Sequence, residues 1–176
     1  ALRFSSVYGN SARMRFDTAV NCMVLDLFKN KKILVRGKLN KRPFIHIKDV
    51  VRAYQSIIDA PKEKICGQIF NVGSEEQNFE MGKLAQEIVK ASSIDCDIEL
   101  NDTNDHRSYF ASFQKIRESI GYSTKYTVSE GVMEMYDALT SGKLTDDIKT
   151  KTVEWYKKLL SDQILAKQYL LNNRIL

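Results

Sequence analysis

The sequence lacks most of the short motifs that identify a chemistry directly. Its 8 glycines form no G-x-G-x-x-G or G-x-x-G-x-x-G turn and no P-loop, although nucleotide sites commonly use such turns so that backbone N–H groups can meet the phosphates. None of the 8 tyrosines is followed four positions later by lysine, so the Tyr-x-x-x-Lys pair that reductases use for proton transfer is missing. The sequence therefore contains neither a cofactor turn nor a proton-transfer pair.

Cysteine and histidine are also scarce. Cys22, Cys66 and Cys96 are odd in number and contain no C-x-x-C spacing, which argues against a disulfide framework or a zinc site and favours a reducing, cytoplasmic setting. His46 and His106 are too few and too isolated for a metal site or a catalytic triad, and we expect His46 to be a strand histidine with a satisfied ring. No apolar run approaches the roughly 18 residues of a membrane span, and no signal-peptide pattern opens the sequence.

What remains is the composition of an ordinary globular chain. With 43% apolar and 28% charged residues over 176 positions, it can bury a core as one domain or two small lobes. The excess of 27 Lys+Arg over 22 Asp+Glu gives a net charge of +5, which favours anionic partners, but the basic residues are spread out and not interleaved with aromatics. This argues against nucleic acid and favours a basic enzyme surface. Because the chain opens on the strand-like segment Ala-Leu-Arg-Phe without an initiator Met, we expect it to be part of a longer protein.

Strand-like and helix-like segments alternate along the chain, which predicts an α/β fold. Residues 2–7 and 68–72 are near-continuous apolar runs, typical of parallel strands buried on both faces. We predict that they are neighbours in one parallel sheet, with the helix that starts at Asp49 packed on it. Apolar periodicity and turn residues predict further elements: strands at 33–35 and 97–100, helices at 17–30 and 81–89, a helix capped by Ser112 and ending near Gly121, a helix with a Thr127–Glu130 capping box, a polar loop over 101–107, and terminal helices in the last thirty residues.

The segment from Lys41 to Val51 is the centre of this pattern. Lys41 and Arg42 are predicted to form a basic turn, followed by a short strand that contains Phe44, and Asp49 is predicted to be the N-cap of the next helix. Arg42 is then held next to a strand-to-helix unit. Its guanidinium could grip a phosphate or carboxylate in bidentate fashion, or it could simply be solvated.

Several segments together resemble the carboxyl-terminal half of an extended short-chain dehydrogenase/reductase of the nucleotide-sugar epimerase/dehydratase type. The segment LRFSSVYG at residues 2–9 is similar to that family's Leu-Arg-x-x-Asn-Val-Tyr-Gly-Pro, with Ser6 in place of the Asn and Asn10 in place of the Pro. Further similar segments follow in the family's order: Leu34–Gly37, Arg42–Val50, Phe70–Gly73, Asp105–Tyr109, Lys115, Gly121–Tyr122 and Glu130–Gly131.

The resemblance implies the final strands and helices of a Rossmann-type parallel sheet plus a small mixed α/β substrate-binding lobe. Residues 1–10 and 44–74 would complete an NAD(P)-binding Rossmann domain, and residues 11–43 and 75–176 would form the nucleotide-sugar-binding lobe. The intact enzyme would epimerise, dehydrate or reduce a nucleoside-diphosphate sugar with NAD or NADP. This chain alone would be inactive and would hold no cofactor tightly.

The resemblance also assigns substrate contacts to individual residues. Arg42 and Arg107 would clamp the diphosphate from two sides, a role that suits guanidinium forks. Asn21 matches a position that contacts the diphosphate, although it could equally be a polar residue on an exposed helix face. Val35 and Arg36 would lie along the base.

Cofactor contacts fall on the first strand. Phe4, Ser5 and Ser6 would border the nicotinamide and the sugar, so Ser6 would serve both substrate and cofactor. The resemblance places no catalytic residue and no metal ligand in this chain. Its implied partners are the amino-terminal Rossmann half and a second copy of the enzyme in a homodimer, without nucleic acid or membrane. A non-catalytic module that binds a nucleotide or phosphorylated sugar is the alternative.

Overall fold

The computed structural model of the protein describes residues 1–101, 107–172 and 174–175. The strands are β1 (Leu2–Phe4), β2 (Ser6–Tyr8), β3 (Lys32–Arg36), β4 (Lys41–His46), β5 (Phe70–Val72), β6 (Asn78–Glu80), β7 (Asp97–Asn101), β8 (Leu170–Leu171) and β9 (Arg174–Ile175). The helices are α1 (Ala19–Asn30), α2 (Ile47–Asp59), α3 (Lys62–Ile65), α4 (Met81–Ser92), α5 (Gln114–Ile120), α6 (Val128–Thr140), α7 (Thr152–Ser161) and α8 (Gln163–Lys167). Short 3₁₀ turns lie at Glu75–Gln77 and Ile148–Thr150. The predicted α/β class is confirmed.

The strands pair mainly in parallel. Strand β1 pairs with β5, with Leu2 opposite Phe70, which confirms that these two segments are neighbours in a parallel sheet. The predicted strand over 2–7 divides at Ser5, whose N–H donates to Val72 O at 3.1 Å. Beyond it, β2 runs parallel to β4, and β4 pairs antiparallel with β6. Strands β3 and β7 form another parallel pair, and β8 and β9 an antiparallel one.

Helix α2 packs on β1, as predicted, and the Phe4 and Tyr54 ring centroids lie 5.2 Å apart. The predicted N-cap is wrong. Strand β4 continues to His46, and this residue caps the helix, because its Nδ1 accepts the Lys48 N–H at 3.2 Å. Asp49 is the third helical residue and is fully buried.

The other helices and strands can be compared with the remaining predictions from the sequence. Lys41 and Arg42 are strand residues paired with β6 rather than a turn, so that prediction is wrong. The Thr127–Glu130 capping box is confirmed at the start of α6. Helix α5 ends at Ile120 and Gly121 is its C-cap, where a φ of 71° suits glycine. Its N-cap is Phe113, one residue after the predicted Ser112, whose Oγ accepts the Gln114 N–H at 3.4 Å. The helices at 17–30 and 81–89 and the strands at 33–35 and 97–100 are confirmed as α1, α4, β3 and β7. The terminal helices are confirmed as α7 and α8, although the β8–β9 hairpin was not predicted. Of the predicted 101–107 loop, residues 102–106, including His106, lie outside the described residues.

Two hydrophobic clusters hold these elements together. The larger one joins α1, β3, α4 and α6 through buried aliphatic side chains: Val24, Leu27, Ile33, Val35, Leu84, Ile88, Val132 and Met135. The second joins β5, α2 and α5 through Phe70, Val72, Ala53, Ile116 and Tyr122. Among the described residues no helix is both long and apolar enough to span a membrane. The division of the chain into two lobes stays a prediction.

Candidate functional site

An open groove of about 820 Å³ runs beside the first half of α1. Three arginines line it, Arg36, Arg42 and Arg107, together with Thr18 and Ala19 at the start of the helix. A smaller groove of about 370 Å³ shares several of these residues and also includes Ser6. The structure thus brings four of the sequence-predicted site residues to one continuous surface.

Strand β3 supplies one wall of the groove. Successive side chains point to opposite faces of a strand, so Leu34 and Arg36 line the groove whereas Val35 is fully buried in the core. The structure therefore does not bring Val35, a predicted site residue, to the surface of the groove. Leu34, which offers an apolar surface beside Arg36, was not predicted.

Arg42 and Arg107 come together because the segment after Arg107 is bonded along β4. Tyr109 N–H donates to Lys41 O at 3.0 Å, and Lys41 N–H donates to Ser108 Oγ at 3.0 Å. The Arg42 guanidinium lies over the Tyr109 ring, 5.5 Å from its centroid, and its Nη1 donates to Lys41 O at 2.9 Å. Tyr109 therefore restricts the Arg42 side chain at the edge of the groove.

Asn21 is buried, which excludes the alternative of a polar residue on an exposed helix face, and it is not among the residues that line the groove. Its Oδ1 accepts the Gly9 N–H at 3.1 Å, and its Nδ2 donates to Arg15 O at 2.9 Å. Asn21 thereby joins the turn after β2 to the loop that leads into α1. Gly9 has φ +112°, and a side chain there would also meet His46 Nε2 at 2.8 Å, so this turn requires glycine.

The residues expected near a cofactor have different environments. Ser5 is buried and its Oγ donates to Val72 O at 3.0 Å, so this hydroxyl fixes the β1–β5 pair. Phe4 packs against Tyr54. Ser6 alone among the three is exposed and lines the groove.

Acidic and thiol groups also line the groove. Burial raises the pKa of Asp26 and of Cys22, whose Sγ lies 3.9 Å from Asp26 Oδ2. Burial would likewise raise the pKa of Asp17, but the Arg15 guanidinium and the Thr152 N–H outweigh it and hold this pKa below its usual value. Asp17 and Asp26 were not predicted from the sequence, where nothing distinguishes them from other surface acids. In the described part of the chain no group of three or more His, Cys, Asp or Glu could hold a metal.

His46 is buried between two tyrosines, stacked on Tyr126 at 4.9 Å and edge-on to Tyr8 at 5.3 Å. Its Nδ1 is satisfied by the cap bond to α2, but its Nε2 makes no hydrogen bond within the described residues and lies 3.4 Å from Glu134 Oε2. The expectation of a fully satisfied ring is therefore wrong. Burial lowers the pKa of His46 despite the nearby Glu134 carboxylate.

Comparison with known proteins relates this arrangement to a family. Residues 1–73 match the model of the NAD dependent epimerase/dehydratase family. CDP-paratose 2-epimerase of Salmonella typhi is 27% identical over 160 residues, which cover 79% of this chain and 44% of that protein.

Solved structures agree on the fold. UDP-glucuronic acid 4-epimerase from Bacillus cereus, in complex with UDP-glucuronic acid and NAD, matches with a TM-score of 0.68 and 22% identity over 80% of this chain and 44% of that one. L-threonine dehydrogenase from Phytophthora infestans matches with a TM-score of 0.68 and 14% identity over 81% and 48% of the two chains. The chain spans less than half the length of these relatives. The matches confirm the resemblance found in the sequence: residues 1–73 match the model of the NAD dependent epimerase/dehydratase family, and the solved structures agree with the fold.

Proposed function

We propose that this chain supplies the nucleotide-sugar-binding part of an NAD-dependent enzyme that epimerises, dehydrates or reduces a nucleoside-diphosphate sugar. The observation that carries the proposal is the convergence of Arg36, Arg42 and Arg107 on one groove beside the start of α1. The names of two relatives, a CDP-paratose epimerase and a UDP-glucuronic acid epimerase, support a sugar linked to a nucleoside diphosphate. The threonine dehydrogenase has a similar fold, so the arginines support this substrate class where the fold alone does not.

The groove offers a specific set of contacts to such a ligand. Arg42 and Arg107 would each donate paired hydrogen bonds to phosphate oxygens, because a planar guanidinium matches phosphate geometry. The first turn of α1 adds backbone N–H groups and a positive helix end. Arg36 and the apolar Leu34 would contact the base, with Val35 buried beneath them. Asn21 would act by holding the turn at Gly9 and the loop at Arg15, and its direct contact with the diphosphate stays a prediction.

Hydride transfer in such an enzyme would come from bound NAD or NADP. Of the residues that would border the nicotinamide, Ser6 offers an accessible hydroxyl, whereas Ser5 and Phe4 support the strand. The sequence has no glycine-rich turn for the pyrophosphate and no Tyr-x-x-x-Lys pair. We therefore infer that the purified 176-residue chain turns over no nucleotide sugar and holds NAD weakly; nicotinamide reduction with any nucleotide sugar would refute this. A homodimer and a cytoplasmic location stay predictions.

Lysine substitutions of the two arginines test the clamp. Replacing Arg42 or Arg107 with Lys keeps the charge but loses the fork, which should weaken nucleoside-diphosphate binding roughly ten-fold. Calorimetric titration with UDP, dTDP, GDP and CDP would measure this. Arg117→Lys is the matched control, because Arg117 pairs with Glu75 outside the groove. Unchanged affinity in both groove variants, for the nucleotide that the parent protein prefers, would contradict the proposal. Tight nucleotide binding without any turnover in a longer form of the protein would favour the non-catalytic module.

A further inference from the structure

Residues 146–161, here called the strap, contain none of the family motifs yet pack against the loop that leads into α1. Two backbone groups make the connection: Phe16 N–H donates to Thr150 O at 2.9 Å, and Thr152 N–H donates to Asp17 Oδ2 at 3.1 Å. Within the strap, the Leu159 side chain is fully buried. The strap therefore reaches the loop that forms one side of the groove.

A second contact fastens the strap to α1 itself. Asp146 Oδ2 accepts from Lys29 Nζ at 2.5 Å, and Asp146 Oδ1 faces Lys151 Nζ at 3.2 Å. Both lysines hold the pKa of Asp146 below its usual value even though burial opposes this. The strap is thus joined both to the last turn of α1 and to the loop ahead of its first turn.

The contact at Asp17 leaves the start of α1 without a side-chain cap. Arg15 binds the Asp17 carboxylate through Nε at 3.0 Å and Nη2 at 3.1 Å, and the Thr152 N–H occupies its Oδ2 as well. Thr18, at the N-cap position, uses its hydroxyl to donate to Arg15 O at 3.2 Å. Among the described residues no side chain caps α1, although Asp and Thr are residues that normally do so.

We propose that the strap, together with Arg15, keeps the Asp17 carboxylate from bonding to the N–H groups of the first turn of α1 and thereby preserves the affinity of the groove for the diphosphate of a nucleotide sugar. The inference rests on the proposed function. A carboxylate released from Thr152 would remain negatively charged beside the first turn of α1. It would compete there with phosphate for the same N–H groups and the same positive helix end. The strap acts through Asp17, so its residues are positioning residues and not ligand contacts.

Thr152→Pro removes the N–H that the strap donates to Asp17 and leaves the two bonds from Arg15 in place. Thr152 is the first residue of α7 and follows Lys151 in an extended conformation with φ −113° and ψ 93°. Proline is favoured at the first helical position, and the residue before it is compatible with an extended backbone, so the helix should persist. Thr152→Ala is the matched control, because it keeps the N–H. We expect Thr152→Pro to weaken nucleoside-diphosphate and inorganic pyrophosphate binding about two- to five-fold, the range of one helix-end charge interaction. Thr152→Ala should bind like the parent protein.

A double variant separates this effect from loss of packing. In an Asp17→Ala background no carboxylate is available to compete, so adding Thr152→Pro should cost no further affinity; an equal cost in both backgrounds would overturn the proposal.

Asp17→Glu provides a second route if Thr152→Pro does not fold, because the longer side chain keeps the charge but cannot hold the same bond to Thr152. Its binding should also weaken, and unchanged affinity would overturn the proposal. Weakened binding in Arg42→Lys with unchanged binding in Thr152→Pro would reject the strap alone. Absence of nucleotide binding by the parent protein would reject the proposed function itself.

Discussion

Helices α1 and α2 begin in different ways although both carry a buried polar residue at their third position. In α2 this residue is Asp49, and in α1 it is Asn21. We call the start of α2 the closed end, because the His46 side chain caps it and the acidic Asp49 lies in its first turn. The start of α1 has no side-chain cap and no acidic residue in its first turn, and it opens on the groove.

The difference separates a joint inside the protein from the surface that we propose binds the diphosphate. Asp49 accepts the Lys125 N–H at 2.9 and 3.0 Å and the Tyr126 N–H at 3.0 Å, and it pairs with Arg52 at 2.6 Å. Its charge also complements the helix dipole, so the positive end of α2 is used inside the protein. Asn21 holds two loops with a neutral side chain, which leaves the positive end of α1 for an anion.

Removing the charge at the closed end should have the largest effect. Asp49→Ala leaves the N–H groups of Lys125 and Tyr126 without their acceptor and Arg52 without its partner. We expect the free energy of unfolding to fall by about 3 kcal/mol, the low end for breaking a buried ion pair. Urea denaturation followed by circular dichroism would measure it.

The control lies at the other end of the same helix. Asp59 is exposed on the last turn of α2, and surface substitutions of this kind usually change stability by less than about 0.5 kcal/mol. If Asp59→Ala destabilises the protein as much as Asp49→Ala does, the contacts of Asp49 at the start of α2 do not account for the loss of stability.

The second-largest effect is expected on ligand binding, when α1 is given the acidic residue that α2 has at its third position. Asn21→Asp places a carboxylate at the open helix end with almost no change in shape. Repulsion between it and a diphosphate should weaken nucleoside-diphosphate binding roughly ten-fold at low salt, and less at high salt. Titration at two ionic strengths would measure the loss.

Asn21→Ala serves as the comparison, because it adds no charge and removes the bond to Arg15 O together with the one from the Gly9 N–H, which an aspartate could still accept. Both variants lose the bond that Nδ2 donates to Arg15 O, so both should be less stable than the parent. A loss of affinity that is equal in the two variants and insensitive to salt would mean that the open end contributes shape rather than charge.

Local patterns predicted local structure well. The stripe of apolar residues in α1 and the capping box at Thr127 depend on neighbours within one or two turns, and both are confirmed. The N-cap of α2 depends on where β4 ends, which is set by its pairing with β2. Asp49 is a good N-cap residue in isolation, so the sequence favoured it over His46. The strand pairing of Lys41 and Arg42 with β6 is long-range in the same way.

The candidate site was predicted less completely. The resemblance named Arg36, Arg42 and Arg107, and the structure places all three at one groove. Periodicity could not show that Val35 faces the core, because its strand has an apolar side chain on both faces. The strap contact between Asp17 and Thr152 joins residues far apart in sequence, and no local pattern signals it.

The smallest effect concerns the His46 cap and its dependence on pH. In the folded protein burial lowers the pKa of His46, and the Lys48 ammonium acts in the same direction against Glu134. The unfolded chain, with a histidine pKa of about 6.5, then binds more protons than the folded one as the pH falls below that value. The free energy of unfolding should therefore be level above pH 7 and should decrease between about pH 6.5 and 5, by at most about 1.4 kcal/mol per pH unit for one group.

His46→Asn keeps a cap acceptor for the Lys48 N–H but cannot titrate, so its stability should be level over the same interval. If urea midpoints of the two proteins fall in parallel from pH 6.5 to 5, the pH dependence arises from another group and not from protonation of His46.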